Sequence, residues 1–296
     1  MFTIGIRLGI GIAIGRRPPI PKVKFDMLEN GLDFVNEAVV AINTTSNNKR
    51  LKYSVIHLCS GIELIFKEVL RNKDWRLIFQ EPKEANPELL QTGDFESVKF
   101  KKLIGRLESE CKVVFTLDEK KILDELRMKR NKIEHFKVDE KVSAIKSLCS
   151  QILNLLIQFI EQNIDVSTVT TISIKYINNL PKELAKFNSY LSVRNQIIKP
   201  KVDKKIADGI IPMKCPNCLQ NTLFNDPHLK CLFCNYTNTP DILTSEINRT
   251  FNSDQILTIK NCSKCAASTL IKSDDKIICL TCNTITINDE TRQDIG

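Results

Sequence analysis

Histidine is scarce in this chain. It occurs three times in 296 residues, so few positions can carry imidazole chemistry. Aromatic residues make up 6% of the sequence. The cysteine-rich end holds only a handful of them (Phe224, Phe233, Tyr236 and Phe251), which does not make an evident platform for stacking bases. No membrane span is expected: the apolar N-terminal run from Ile4 to Gly15 is too short and is broken by Arg7. That run also lacks the charged start and cleavage site of a secretory signal. Carboxylates are in deficit, with 35 Asp and Glu against 43 Lys and Arg, and the net charge of +8 favours a polyanionic partner. A disulfide framework is missing too. Eight of the eleven cysteines follow residue 214 and fall in C-x-x-C pairs, while Cys59, Cys111 and Cys149 are single in apolar surroundings. This is a metal-binding distribution and points to a reducing, cytoplasmic location.

Hydrophobic residues at 42% and charged residues at 26% fit a soluble globular protein. The length predicts two domains. Residues 1–22 read as a disordered tail closed by Pro18 and Pro19. Over residues 23–163 the apolar period is helical. Phe25, Leu28, Leu32, Val35, Val39 and Ile42 share one face, and "TTSNNKR" then breaks the pattern. The next helix, about 51–71, is apolar enough to be central in a bundle. A long, locally acidic connection spans 73–97, of a length associated with function or mobility. A short helix follows at about 98–111. Thr116 and Glu119 form a capping box for the next one, and a last apolar helix covers about 141–162.

Residues 164–206 read as a basic linker. "STVTTISIKYI" is β-branched and is expected to form a short strand. Pro181 opens a helix expected to stop before Pro200. Residues 175–214 carry nine basic against three acidic residues, a net +6. Residues 207–296 change abruptly to turns, short strands and cysteine pairs. Cys215, Cys218, Cys231 and Cys234 are spaced C-x2-C-x12-C-x2-C, and Cys262, Cys265, Cys279 and Cys282 are spaced C-x2-C-x13-C-x2-C. Two residues between thiolates let a tight turn aim both sulfurs at one tetrahedral ion, and a hairpin brings the second pair opposite. Four thiolates close each site, so two structural Zn2+ ions per chain are expected; rubredoxin-type iron uses similar turns. His228 lies in the first hairpin and is surplus to four thiolates. The fold class expected overall is mainly α: a helical bundle followed by a small β-rich tandem zinc-ribbon domain.

The stretch "RMKRNKIEHF", 127–136, places four basic residues, a carboxylate and a histidine on one amphipathic helix. Ile122, Leu126 and Ile133 mark its inward stripe, and Arg130 falls on that stripe. An arginine there must find a partner or line a cleft, because burying the charge alone costs several kcal/mol. A solvated basic face, or an Arg130–Glu134 pair of i,i+4 type, is the plain reading. Arg130-Asn131-x3-His135 matches the R-x4-6-H motif of the HEPN superfamily, and "LKYSVIHLCSGIELIFKEVL" resembles the second helix of bacterial HEPN proteins. The resemblance covers residues 24–163. "VRNQIIK" at Arg194 repeats the Arg-Asn pair but has Lys199 where a histidine would fall, so it reads as a decoy.

The resemblance implies metal-independent RNA cleavage, with His135 moving protons, Arg130 stabilising charge and Asn131 orienting the phosphate. Glu63, amid apolar residues of the second helix, is a candidate to orient Arg130; an equally open reading leaves it solvated. Many HEPN proteins are toxins or anti-phage effectors, and some only bind. The expected partners are therefore RNA, a second copy through the helical domain, and a protein partner or antitoxin. Zinc ribbons would select the target or partner. The alternative is a non-catalytic HEPN scaffold whose ribbons bind nucleic acid or protein.

Overall fold

The computed structural model describes residues 22–44, 48–251, 261–273 and 276–287. The expected tail, apart from Lys22, lies outside them. The described chain is mainly α with two small antiparallel sheets near its C-terminal end.

Helix α1 (Met27–Asn43) opens on a capping box between Asp26 and Glu29. It packs along α2 (Leu51–Lys73), the central helix, whose Val55, Leu58, Ile62, Ile65 and Phe66 are fully buried. The two backbones approach closely where Gly31 faces Gly61: a Cβ on Gly61 would lie 2.7 Å from the Gly31 carbonyl oxygen. Helix α4 (Phe100–Cys111) also packs on α2. So do α5 (Leu117–His135) and α6 (Val142–Asn163). The capping box at Thr116 and Glu119 forms as the sequence dictates, with the Glu119 amide 3.2 Å from the Thr116 hydroxyl.

The connection after α2 is built, not loose. It contains the short helix α3 (Pro87–Thr92) and two 3-10 turns. Arg106 of α4, almost fully buried, donates to the carbonyls of Leu77, Phe79 and Gln80. Phe79 stacks on Phe95 with ring centres 4.1 Å apart.

The expected strand at "STVTTISIKYI" is instead helix α7 (Thr171–Leu184), capped by Thr170. Ser173, Leu180 and Leu184 turn inward at helical spacing, and Tyr176 donates to Asp33 of α1 at 2.7 Å. Tertiary packing against α1 outweighs the β-branched propensity. Neither proline bounds its helix. Pro181 lies inside α7, and α8 (Asn188–Ala207) runs through Pro200. Gln196, whose carbonyl loses its amide partner at Pro200, is exposed, so water satisfies it.

Strands β1 (Leu223–Asn225) and β2 (Leu229–Cys231) form the first ribbon's hairpin, and helix α9 (Pro240–Phe251) follows. Strands β3 (Leu270–Ser273), β4 (Lys276–Cys279) and β5 (Ile285–Ile287) form the second sheet in that order. The composition boundary near 207 is not a boundary of the core. Cys215, Leu223, Cys231 and Phe233 belong to the same buried cluster as α2 and α6.

Candidate functional site

Each C-x-x-C turn is followed by one residue in the left-handed region: Leu219, Asn235, Ala266 and Asn283, at φ 56–62°. In all four turns the amide of that residue bonds back to the carbonyl of the first cysteine at 2.9 Å. Four separate segments thus adopt one backbone shape that points two sulfurs the same way.

The sulfurs converge in two groups of four. In the first, Cys215 and Cys234 are 3.7 Å apart, as are Cys218 and Cys231. In the second, Cys262 and Cys282 are 3.6 Å apart, and Cys265 and Cys279 3.7 Å. Sulfurs at the corners of a tetrahedron with bonds of about 2.3 Å would be separated by about 3.8 Å. Both groups therefore fit a four-coordinate metal ion without rearrangement. Neither includes a histidine, and His228 is exposed in the hairpin.

The two groups differ in their surroundings. All four cysteines of the first are buried, whereas Cys265 is exposed and Cys282 half-buried in the second. The first is also tied to the bundle by Arg194 of α8, the residue the motif reading set aside. Its side chain, 4% exposed, donates from Nε to the Phe233 carbonyl (2.9 Å) and from Nη2 to the Leu232 carbonyl (2.9 Å). Leu232 and Phe233 are the two residues between Cys231 and Cys234. The remaining nitrogen, Nη1, donates to Asn154 Oδ1 of α6 at 3.0 Å. No local sequence signal marks this role, since all three partners lie 38–40 residues away. Tyr190 packs edge-on against Phe233, and burial pushes its phenol well above the usual range.

On α5, Leu123 and Leu126 are buried, while Ile122 and Ile133 are only partly covered. The buried stripe is thus turned slightly from the expected one, and it leads into Arg130. The Arg130 Nη1 donates to Glu134 at 3.0 Å, and Nη2 lies 4.0 Å from Glu63 of α2. Glu63 in turn accepts from Lys67 at 2.6 Å. Cys59 sits beside the guanidinium. Burial works against the Arg130 charge, but Cys59 and Glu134 outweigh it and hold it more basic than an ordinary arginine. Burial pushes the Cys59 thiol up. Asn131 is half-buried and His135 exposed at the last turn of α5. Among the described residues, no hydrogen bond or ion pair joins His135 to Arg130 or Asn131. Five residues on an ideal helix are about 140° apart, so within one chain the three candidates do not converge.

Glu140 accepts from Lys132 (3.2 Å) and pairs with Lys129 (3.0 Å), which pins the end of α5 to the start of α6. These two lysines hold the Glu140 carboxyl below its usual range. A separate groove of about 810 Å3 opens at the other end of α6, between α6, α7, the first ribbon and α9.

No family model, curated protein or solved structure matches the chain.

Proposed function

We propose that the chain is a metal-independent endoribonuclease of HEPN type that works in the cytoplasm as a homodimer, with structural zinc in both four-cysteine groups. The observation that carries the reading is the R-N-x3-H set on α5, with Arg130 on the inward side against Glu63 and Cys59 and His135 exposed at the helix end. In this reading His135 takes the proton from an RNA 2′-OH. The 2′-oxygen bonds to the adjacent phosphorus, the bond to the 5′-oxygen breaks, and an imidazolium returns a proton to that leaving oxygen. The products are a 2′,3′-cyclic phosphate and a 5′-OH. Imidazole suits proton transfer near neutral pH, and a guanidinium suits a developing phosphorane. The rotation of about 140° between Arg130 and His135 calls for a two-fold dimer in which one chain's arginine serves its partner's histidine. The all-thiolate donor set and the tetrahedral sulfur spacing support zinc as the ion. Toxin or anti-phage roles, with an antitoxin or other protein partner, belong to the same reading.

The second reading is a non-catalytic scaffold whose ribbons bind nucleic acid or protein. The Arg130–Glu134 ion pair favours it, because that guanidinium is already neutralised.

The deciding experiment is cleavage of single-stranded RNA in EDTA. Wild type should cut, and His135→Ala and Arg130→Ala should each lose about 10²–10⁴-fold. Mixing the two variants should restore about a quarter of wild-type activity, since half the dimers are mixed and each has one intact site. His135→Ala protein that cuts like wild type would overturn the ribonuclease. A failure of mixing to restore activity would overturn the shared site.

A further inference from the structure

The two four-cysteine groups share a geometry and differ in what surrounds them. All four cysteines of the first are buried and belong to the main core. The second group is open to solvent, with Cys265 exposed and Cys282 half-buried. Its own core is a satellite of four buried residues, Cys262, Leu270, Ile277 and Cys279, and two of these four are themselves ligands. Ile271, Ile278 and Leu280 reach from this module into the main core. Asn283 donates to the Asn225 carbonyl of β1 at 3.0 Å, and Asn225 donates to the Leu280 carbonyl at 2.8 Å. The three single cysteines stand apart from both groups: Cys59 and Cys149 are buried, and Cys111 is half-buried.

We infer that the second four-cysteine group is an oxidation site, at which a hydroperoxide joins Cys265 and Cys279 in a disulfide and the group gives up its metal ion. The inference rests on the metal reading of the cysteine groups and is independent of the ribonuclease reading. A cysteine that holds a metal is a thiolate, the form that attacks an oxidant, and access decides which thiolate attacks first. Cys265 has that access. Its sulfur bonds to one peroxide oxygen, the O–O bond breaks, and hydroxide leaves. Cys265 is then a sulfenic acid. The Cys279 sulfur, 3.7 Å away, bonds to the Cys265 sulfur, the S–O bond breaks, and a second hydroxide leaves. The two sulfurs lose two electrons, the peroxide gains two, and two solvent protons turn both hydroxides into water. Cys262 and Cys282 remain as thiolates, too few to close a tetrahedral site. The folding energy of so small a module is largely the binding energy of its ion. The module therefore loosens, and Ile271, Ile278 and Leu280 withdraw from the main core. The first group, with every sulfur buried, keeps its ion. A thiol reductant and fresh Zn2+ reverse the change.

The test uses the full zinc-loaded chain, hydrogen peroxide, and a colorimetric chelator that counts the zinc released. Peroxide should free one ion per chain about tenfold faster than the other. Trypsin cuts after Lys264, Lys272 and Lys276, which puts Cys265 in peptide 265–272, Cys279 in peptide 277–292 and Cys262 in peptide 261–264. Mass spectrometry of the oxidised protein should show 265–272 joined to 277–292, with fragmentation placing the bond at Cys279. Hydrogen exchange should speed up over 261–273 and 276–287 and leave α6 and α8 as they were. Cys265→His removes the exposed sulfur and keeps a ligand, since three cysteines and a histidine also hold zinc, and its ion should leave about tenfold more slowly. If that variant does not load, the ion count and peptide map of the wild type still decide. Cys111→Ser, a change outside both groups, should release its ion like wild type. Loss of both ions together overturns the inference, and so does a peptide map in which Cys265 is still a free thiol after zinc is released. Protection by Cys111→Ser equal to that by Cys265→His overturns it as well. Elemental analysis before peroxide separates the two readings. A second group that holds no ion removes the metal reading and this inference with it, whereas a loaded second group that ignores peroxide removes the inference alone.

Discussion

Replacing Arg194 with methionine removes a buried guanidinium while keeping a side chain of similar reach. Three acceptors then lose their donor at once: the carbonyls of Leu232 and Phe233 and the Asn154 amide oxygen. A buried acceptor left without a partner costs about 1–3 kcal/mol, and such penalties are not additive within one cluster. Three such penalties, less than additive, put the expected loss at about 3–5 kcal/mol. In a chain of this size it lowers the melting temperature by roughly 6–20 °C. A divalent ion on four thiolates carries a net charge of −2, and Arg194 is the cation held against that turn. Metal affinity at the first site should therefore fall about 10–100-fold, as for other outer-sphere supports. Arg194→Lys should not rescue it, because one ammonium cannot fork to three fixed acceptors. Calorimetry gives the first number, and competition with a colorimetric chelator gives the second. An Arg194→Met protein that melts within a degree of wild type and holds both metals as tightly would refute the clamp.

Metal analysis should give two ions per chain, with Cys215→Ser and Cys262→Ser each losing one. Only Cys215→Ser should also speed hydrogen exchange in α6 and α8, because only the first site shares their core. Gly61→Ala should cost about 1–3 kcal/mol by overpacking, since its Cβ would meet the backbone oxygen of Gly31, which cannot step aside. Gly105→Ala, with no atom within 4 Å of its Cβ, should instead stabilise α4 by about 0.5–1 kcal/mol, and thermal melts of the pair check both. Glu140 titrates below its usual range because Lys129 and Lys132 hold it. Its folded value is depressed, so its support for the α5–α6 corner is present above the ordinary carboxylate range and is lost as pH falls through the lowered value. In NMR titrations the Lys132 ammonium signal should show an acid-limb shift that Glu140→Gln abolishes.

The sequence made the parts with a strong local period or spacing readable. The helices α1, α2, α5 and α6 follow their apolar stripes, and the capping box at Thr116 follows from residue types alone. Both four-cysteine groups follow from spacing, because a C-x-x-C turn is a local geometry repeated four times. The parts that failed depend on distant partners. The segment 171–184 has strand-like composition and becomes a helix only because Ser173, Leu180 and Leu184 have α1 and the ribbon to pack against. Pro181 and Pro200 looked like boundaries, but a single lost hydrogen bond does not end a helix, and at Pro200 the residue with the freed carbonyl, Gln196, is exposed. Arg194 looked like a decoy because its partners are a ribbon turn and a residue of α6. The Arg130–Glu134 pair was legible as an i,i+4 contact. The near approach of Glu63 follows from how α5 packs on α2 and was reached only through the surroundings of Glu63 in the sequence.

Helix α6 connects these observations and sets a condition on the cleavage test. Its start is pinned to the end of α5 through Glu140, its middle is tied through Asn154 and Arg194 to the second cysteine turn of the first ribbon, and its end lines the groove. A helix of 22 residues is a stiff element about 33 Å long. Loosening the first ribbon should therefore be felt at His135, although no metal takes part in the proposed chemistry. Loss of activity in a strong chelator would then have two meanings, a catalytic ion removed or a support withdrawn. They separate by dose. The exposed second site gives up its ion first and the buried first site later. If cleavage survives while both ions remain, persists when the second alone is stripped, and falls only as the first is lost together with the protection of α6, the metal acts through the fold. If cleavage falls while both four-cysteine sites are still full, a third ion is at work, and the assignment of His135 as the proton carrier without metal fails.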